Sequence, residues 1–349
     1  MKPSIALVMG GGAALGAFHA GAYEALSEHG LEPDWVAGSS TGAITAALIA
    51  GNAPKDRVEA LNGLWEAASV FPLTGGRVGR DLALLNTVLF GRPGFFAPML
   101  PKPSPYVPFG GPGLFEMSQL VGTLEKFADF SLANATDRRL VVHTTDLVSG
   151  EAMVFDSFRA PVEPLHILAS CALPMDFAPV MVDGRWLCDG GMSSNLPLRD
   201  IVEPMPDRPM ICFAIDLFCK QGSAPISIDG MGGRCADLLL ASQAEKDVEL
   251  AAQAWKASPV PILLAHLRHD GEGEMIGQKM FDFSAEAIAL RWRAGKKAME
   301  EVLENLPPLP EAGLVQVGQA PSDGVFARQS SGVDEGRLGR RLIKAHPDS

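Results

Sequence analysis

One serine in this chain stands where a nucleophile would. Gly38-Ser39-Ser40-Thr41-Gly42 has the form Gly-x-Ser-x-Gly, and a separate glycine run, Gly10-Gly11-Gly12, precedes it. A serine at the centre of that pattern can sit on a sharp strand-to-helix turn with its hydroxyl exposed. Gly38 and Gly42 are needed there because side chains would collide where the backbone folds tightly past itself. The second glycine loop can turn its N–H groups toward a developing oxyanion. Together the segments read as nucleophile and oxyanion hole for acyl transfer. The motif alone decides little: with 37 glycines in 349 residues, chance supplies about a quarter of a match. Context adds to it. Ser40 follows an apolar run and opens a helix, whose N-terminus favours negative charge. The plainer reading is a tight turn whose serine only caps that helix.

The glycine run does not match the phosphate loops. A dinucleotide fingerprint needs glycine where Leu15 stands, and there is no Gly-Lys-Ser/Thr. What remains is a loop whose amides can face an anion.

A serine hydroxyl also needs a base. An α/β-hydrolase orders its triad Ser, then acid, then His. His266, His269 and His346 come late enough. His346 falls in an aperiodic tail, and His269-Asp270-Gly271 lies in a polar stretch. The other candidate base is Asp189, in Trp186-Leu187-Cys188-Asp189-Gly190-Gly191, where an apolar strand ends in a glycine turn. A simple Asp-Gly turn explains the same residues without catalysis.

Composition narrows the classes. The chain is long enough for a substantial core, as one large domain or two smaller ones. Apolar residues make up 47% and charged residues 20%, as in an ordinary globular protein. A net charge of −12 without a basic cluster argues against a nucleic-acid partner. An acidic protein can still meet a membrane through a local apolar surface. Cys171, Cys188, Cys212, Cys219 and Cys235 form no C-x-x-C pair and are odd in number. That points away from a disulfide framework or a zinc site and toward a reducing compartment. No calcium loop occurs, and the expectation is no metal and no other cofactor. The apolar run from Ile5 to Met9 is too short for a signal core, and no stretch approaches the ~18 residues of a membrane span.

The elements that must hold these residues alternate. Residues 4–9 read as a buried strand, 15–29 as a helix, Asp34 to Ala37 as strand two and Thr41 to Ala50 as a helix. Short joints between them are the grammar of an α/β sheet. Leu140–Thr145, Met153–Asp156 and Pro209–Leu217 read as further strands, and Val180–Cys188 as a pair around an Asp183-Gly184 turn. Arg234–Trp255 and Ser284–Leu306 carry apolar residues on one helical face, suited to covering the sheet. Residues 70–115 are expected to form an irregular insert rich in Pro, Gly and apolar side chains. It either covers a greasy pocket or packs on the sheet.

Four blocks in order give the chain a resemblance. They are Val8-Met9-Gly10-Gly11-Gly12-Ala13-Ala14-Leu15-Gly16, Gly38-Ser39-Ser40-Thr41-Gly42, Ala169-Ser170-Cys171-Ala172-Leu173-Pro174, and Asp189-Gly190-Gly191 with Asn195-Leu196-Pro197. Over residues 4–217 the chain resembles the patatin-like phospholipases. The resemblance implies a three-layer α/β/α sandwich with a mainly parallel central sheet, and a Ser–Asp dyad instead of a triad. Carried over by position, Ser40 is the nucleophile and Asp189 the base. Gly10, Gly11, Gly12 and Thr41 form the oxyanion hole, and Gly38 and Gly42 form the nucleophile elbow. The chain departs from many members at Leu15, where they carry a basic residue. Residues 1–217 would be the catalytic domain, 218–317 a helical region packed on it, resembling the C-terminal part of a bacterial subgroup, and 318–349 a mobile tail. The implied activity is hydrolysis of lipid carboxylic esters by a cytoplasmic enzyme that touches lipid surfaces transiently. A general carboxylesterase, an intracellular polyester depolymerase and a non-catalytic lipid-binding relative are the alternatives.

Overall fold

Every residue of Ser4–Met9 (β1) is buried, and its side chains feed two cores. Ile5, Leu7 and Met9 enter one, Ala6 and Val8 the other. A strand apolar on both faces needs cover on both faces, which is the situation of a parallel sheet between helices. The computed structural model describes residues 2–70, 76–99, 113–135, 137–269, 275–320 and 324–328.

After β1 the strands run β2 (Trp35–Ser39), β3 (Ala97–Pro98), β4 (Gly113–Glu116), β5 (Arg139–Asp146), β6 (Ala152–Asp156) and β7 (Met175–Phe177). They continue with β8 (Val180–Val182), β9 (Arg185–Asp189), β10 (Met210–Asp216), β11 (Pro261–Arg268), β12 (Gly313–Ala320) and β13 (Gly324–Arg328). The helices are α1 (Ala17–Glu28), α2 (Thr41–Ala50), α3 (Arg57–Ala68), α4 (Gly76–Phe90) and α5 (Ser118–Phe127). Then come α6 (Phe130–Ala133), α7 (Pro164–Ser170), α8 (Ile228–Trp255), α9 (Ile276–Phe281) and α10 (Ala285–Glu304).

The central sheet has the order β13-β12-β11-β10-β1-β2-β5-β9-β8, with β6 also on β5. From β12 to β5 the neighbours are parallel; β13, β9, β8 and β6 join antiparallel. β3, β4 and β7 form a separate small sheet. One face of the central sheet is covered by α1, α2, α3 and α10 through Phe18, Tyr23, Ala46, Leu61 and Met299. α8 covers the other through Ala244, Ala251 and Trp255. This is the expected α/β fold with a mainly parallel central sheet.

The expected strands and the helix over Thr41–Ala50 are present, and Asp183 (φ 48°) and Gly184 (φ 79°) make the expected turn. Three features differ from expectation. Inside the segment read as irregular, residues 76–90 form α4, which buries Ala83 and Thr87 and leaves Val78, Leu82, Leu85 and Leu89 exposed. The glycines at its start hide the helical period. Residues beyond 217 also supply β11 and β12, so that region extends the sheet as well as covering it. Of the region read as a tail, residues up to Ala320 belong to β12 and Gly324–Arg328 form β13; the rest lies outside the described residues. So do Leu100, Tyr106 and Phe109 of the insert.

Candidate active site

Ser40 is the single residue between β2 and α2, with φ 54° and ψ −125°. That conformation is costly for a residue with a side chain and persists only where its surroundings enforce it. The enforcement is steric and polar. A Cβ on Gly38 would stand 2.2 Å from the Gly42 carbonyl carbon, and one on Gly42 would stand 2.2 Å from the Met9 oxygen. The elbow therefore closes only with glycine at both positions. The Ser40 N–H donates to Ser170 Oγ at 2.8 Å, and that hydroxyl donates to the His143 carbonyl at 2.7 Å.

The glycine loop follows β1 and leads into a short 3₁₀ turn, Ala13–Gly16, before α1. Gly11 is packed so that a Cβ would lie 3.0 Å from Ser40 Cβ. Gly16 is held against Thr41, whose Oγ1 would be 2.2 Å from an added Cβ. The Gly10 N–H donates to the Ile215 oxygen at 2.9 Å and the Gly11 N–H to the Asn195 oxygen at 3.2 Å. Among the described residues, the N–H groups of Gly12, Ala13 and Thr41 have no protein acceptor. Gly12 has φ 161° and ψ 19°, and Ala13 has φ 46°.

Asp189 is the last residue of β9, opposite Thr144 of β5. Its N–H donates to the Ala172 oxygen at 2.9 Å, and its Oδ1 accepts the Gly191 N–H at 2.7 Å. Ser40 and Asp189 line the same cavity, and the Ser40 hydroxyl lies near enough to favour the ionised carboxylate. Only 4% of Asp189 is exposed, and burial raises its pKa from 3.8 to about 6 against the opposing pull of Ser40, Gly191 and His143. Gly190 must be glycine, because a Cβ would meet both the His143 carbonyl and Ser39 Oγ at 2.4 Å. Asn195 ties acid turn to glycine loop. Its Nδ2 donates to the Gly11 oxygen at 3.4 Å, and its Oδ1 faces the Cβ positions of Gly11 and Gly191.

Ser40, Asp189, Gly11, Gly12 and Thr41 line the polar end of a cavity holding about 940 Å³ of space, open mouth included. Apart from Asn195 the rest of its wall is apolar and drawn from many elements, with Ile44, Leu64, Trp65, Phe96, Leu120 and Phe283 among its residues. Phe96 makes ring contacts with Phe115, Phe177, Phe281 and Phe283. The insert therefore contributes to a pocket through Phe95 and Phe96.

The histidines sit elsewhere. His269 is buried, stacks at a tilt on Phe18 with centroids 5.0 Å apart, and does not line the cavity. Burial, with Arg291 and Lys279 nearby, lowers its pKa to about 3. His19 is likewise held neutral, its pKa lowered to about 3 by burial and by His269. His143 spans Asp200 (2.6 Å from Nδ1) and Ser193 (2.9 Å from Nε2). This resembles a triad, but Ser193 is not part of the cavity wall. Ser170 and Asn195 fall in the blocks that carry the resemblance but had no site role assigned, since nothing in their spacing announces a contact with residues 130 or 184 positions away. No cluster of three or more His, Cys, Asp or Glu side chains suited to a metal occurs among the described residues.

Known proteins bear on this arrangement. An uncharacterised NTE-family protein of Mycobacterium tuberculosis is 28% identical over 203 residues, 57% of this chain and 46% of its own length. A lysophospholipase of Mycosarcoma maydis is 29% identical over 227 residues, 64% of this chain and 10% of that protein. This chain thus spans less than half the length of these curated relatives. Among solved structures, VipD from Legionella pneumophila aligns over 87% of this chain and 67% of its own, with 14% identity and a TM-score of 0.43. The family model for patatin-like phospholipase matches residues 7–202. That stretch is more than half of the chain and holds both glycine motifs, Ser170 and Asp189: the chain belongs to the patatin-like phospholipase family.

Proposed function

We propose that the protein hydrolyses carboxylic esters of lipids through an acyl-enzyme on Ser40. The observation that carries this reading is that Ser40 and Asp189 line one mainly apolar cavity together with the glycine loop. Ser40 Oγ attacks the ester carbonyl carbon while its proton passes to Asp189. A general base works best with a pKa near the working pH, and burial has moved Asp189 toward that range. The tetrahedral oxyanion is met by N–H groups of the glycine loop and Thr41. Because the Gly10 and Gly11 amides already have acceptors, we assign the donating role to Gly12, Ala13 and Thr41, with Gly10 and Gly11 shaping the loop. Collapse of the intermediate breaks the ester C–O bond, and Asp189 returns the proton to the leaving alcohol. Water then repeats the sequence on the acyl-enzyme, releasing the fatty acid and restoring Ser40.

The apolar wall suits an acyl chain, so a lipid substrate is favoured over a small ester. A lysophospholipase is among the relatives, in keeping with a lipid ester substrate. The test is turnover of p-nitrophenyl esters of increasing chain length by wild type, Ser39→Ala, Ser40→Ala and Asp189→Asn. Wild type and Ser39→Ala should be active, with a preference for longer chains. Ser40→Ala and Asp189→Asn should lose a thousandfold or more in kcat, on the order seen when a nucleophile or its base is removed. Full activity in Ser40→Ala would end the proposal. A preference for acetate or butyrate would move the protein to the carboxylesterases.

A further inference from the structure

The oxyanion loop is clamped from outside the part of the chain that the family model covers. Arg291 lies on α10, 3% exposed, and its Nη1 donates to the Ala14 oxygen at 3.1 Å. Ala14 belongs to the turn directly after Gly10-Gly11-Gly12. The same guanidinium donates to the Asp282 oxygen at 2.9 Å and to the Gln278 oxygen at 3.1 Å. Both acceptors belong to α9 and the residue that ends it. One cation thus gathers three carbonyls from two segments more than 260 residues apart in sequence.

Its platform is rigid. α10 crosses α1 with backbones in contact: a Cβ on Gly21 would stand 1.8 Å from the Trp292 oxygen, and one on Gly295 would stand 1.9 Å from the Phe18 oxygen. Trp292 Nε1 donates to Glu24, and Lys296 bonds Glu24 and Glu28. α10 is therefore fixed to the helix that follows the loop. The Asp282 side chain is held by Arg80, Nη2 to Oδ2 at 2.7 Å. The loop needs such support. Ala13, with φ 46°, occupies a sparsely populated backbone region, which the surroundings must impose. The Gly10 and Gly11 amides anchor its start, and Arg291 holds its far side.

We propose that Arg291 is a positioning residue for the oxyanion hole, and that the region beyond residue 202 acts in catalysis through it. The inference rests on the esterase reading above. Arginine suits the task because its planar fork presents several donors in fixed directions, whereas a lysine ammonium is a point charge. Removing it lets the Gly12 and Ala13 amides drift from the oxyanion. That interaction strengthens in the transition state, so the loss falls on kcat and leaves KM nearly unchanged.

The experiment compares wild type, Arg291→Lys and Arg291→Met in the full-length chain. It measures kcat and KM on a p-nitrophenyl ester and amide hydrogen exchange in a peptide covering residues 10–18. Arg291→Met should lose ten- to a hundredfold in kcat with KM within about twofold, and should exchange faster in that peptide. Arg291→Lys should fall between, and added guanidinium ion at low millimolar concentration should restore part of the Arg291→Met loss. If Arg291→Met does not fold, Arg291→Lys carries the comparison: wild-type kcat together with wild-type exchange overturns the proposal. A kcat loss matched by lower thermal stability, with unchanged exchange in residues 10–18 and no guanidinium rescue, also overturns it. Wild type active while Ser40→Ala is dead, with both Arg291 variants fully active, sinks this inference alone. A wild type inactive on every ester sinks the esterase reading and this inference with it.

Discussion

The backbone N–H of Ser40 rests on the hydroxyl of Ser170, 2.8 Å away, and that hydroxyl is itself oriented by the His143 carbonyl. Ser170 is fully buried at the end of α7. It sets the backbone of the proposed nucleophile without lining the cavity itself. Replacing Ser170 with alanine leaves a buried amide without its acceptor, which costs about 1–3 kcal/mol. The expected outcome is a folded protein, several degrees lower in Tm, with kcat reduced roughly ten- to a hundredfold by a misplaced Ser40. Steady-state kinetics with thermal melts reads both. Unchanged kcat would reduce Ser170 to packing.

Asp189 predicts the acid limb of the pH profile. As the proposed base, Asp189 acts only when ionised, so kcat/KM should fall about tenfold per unit below a pH of about 6. The same shift predicts a stability trade. The folded pKa lies above the unfolded one, so between about pH 4 and 6 the native state binds a proton that the unfolded chain releases. Stability from this group is therefore present at low pH and lost as pH rises through about 6. Asp189→Asn removes the cost of burying the charge. It should melt higher than wild type at pH 8, by up to about 3 kcal/mol, and lose the advantage toward pH 4. Melting curves at the two pH values decide it; a destabilised Asp189→Asn at pH 8 would contradict the burial argument.

The glycines sort into those that must stay and those that need not. Gly42→Ala and Gly295→Ala would drive a Cβ to 2.2 Å from the Met9 oxygen and 1.9 Å from the Phe18 oxygen. Backbone atoms cannot yield as a side-chain tip can, so each should cost more than about 3 kcal/mol or abolish soluble expression. Gly122, on the exposed side of α5, has nothing within 4 Å of an added Cβ. Gly122→Ala should stabilise by about 0.5–1 kcal/mol through helix propensity. Denaturant titration of the three variants is the check.

The cavity wall predicts chain-length choice. Leu120 lines it from α5 and is 3% exposed. Leu120→Trp adds bulk into the space that an acyl chain would fill. Overpacking costs about 1–3 kcal/mol. The expected kinetic result is at least a tenfold loss of kcat/KM on long-chain esters with short-chain turnover kept. An equal fall at every chain length would separate the cavity from acyl selection.

Much of this was legible in the chain itself. Short continuous apolar runs mark residues 4–9 and Pro209–Leu217 as interior strands, and Thr41–Ala50 reads as a helix to its ends, because such patterns are local. The elbow glycines are legible for the same reason: the conformation they permit involves only their neighbours. α4 was hidden because glycines interrupt its first turn. β11 and β12 were passed over beside the two long helices α8 and α10, though Pro261–Ala265 is an apolar run of strand length.

Sequence alone therefore determined the α/β class, the two glycine loops and the candidate pair Ser40 and Asp189. The fold decided everything that depends on residues far apart in the chain. It set which amides remain available to an oxyanion, since Ile215 and Asn195 take those of Gly10 and Gly11. It set the basicity of Asp189, which comes from burial. It joined Ser170 to Ser40 and Arg291 to Ala14. Those contacts have no sequence period, because they are made by the closing of the sheet and its helices around one cavity, not by any repeating geometry along the chain.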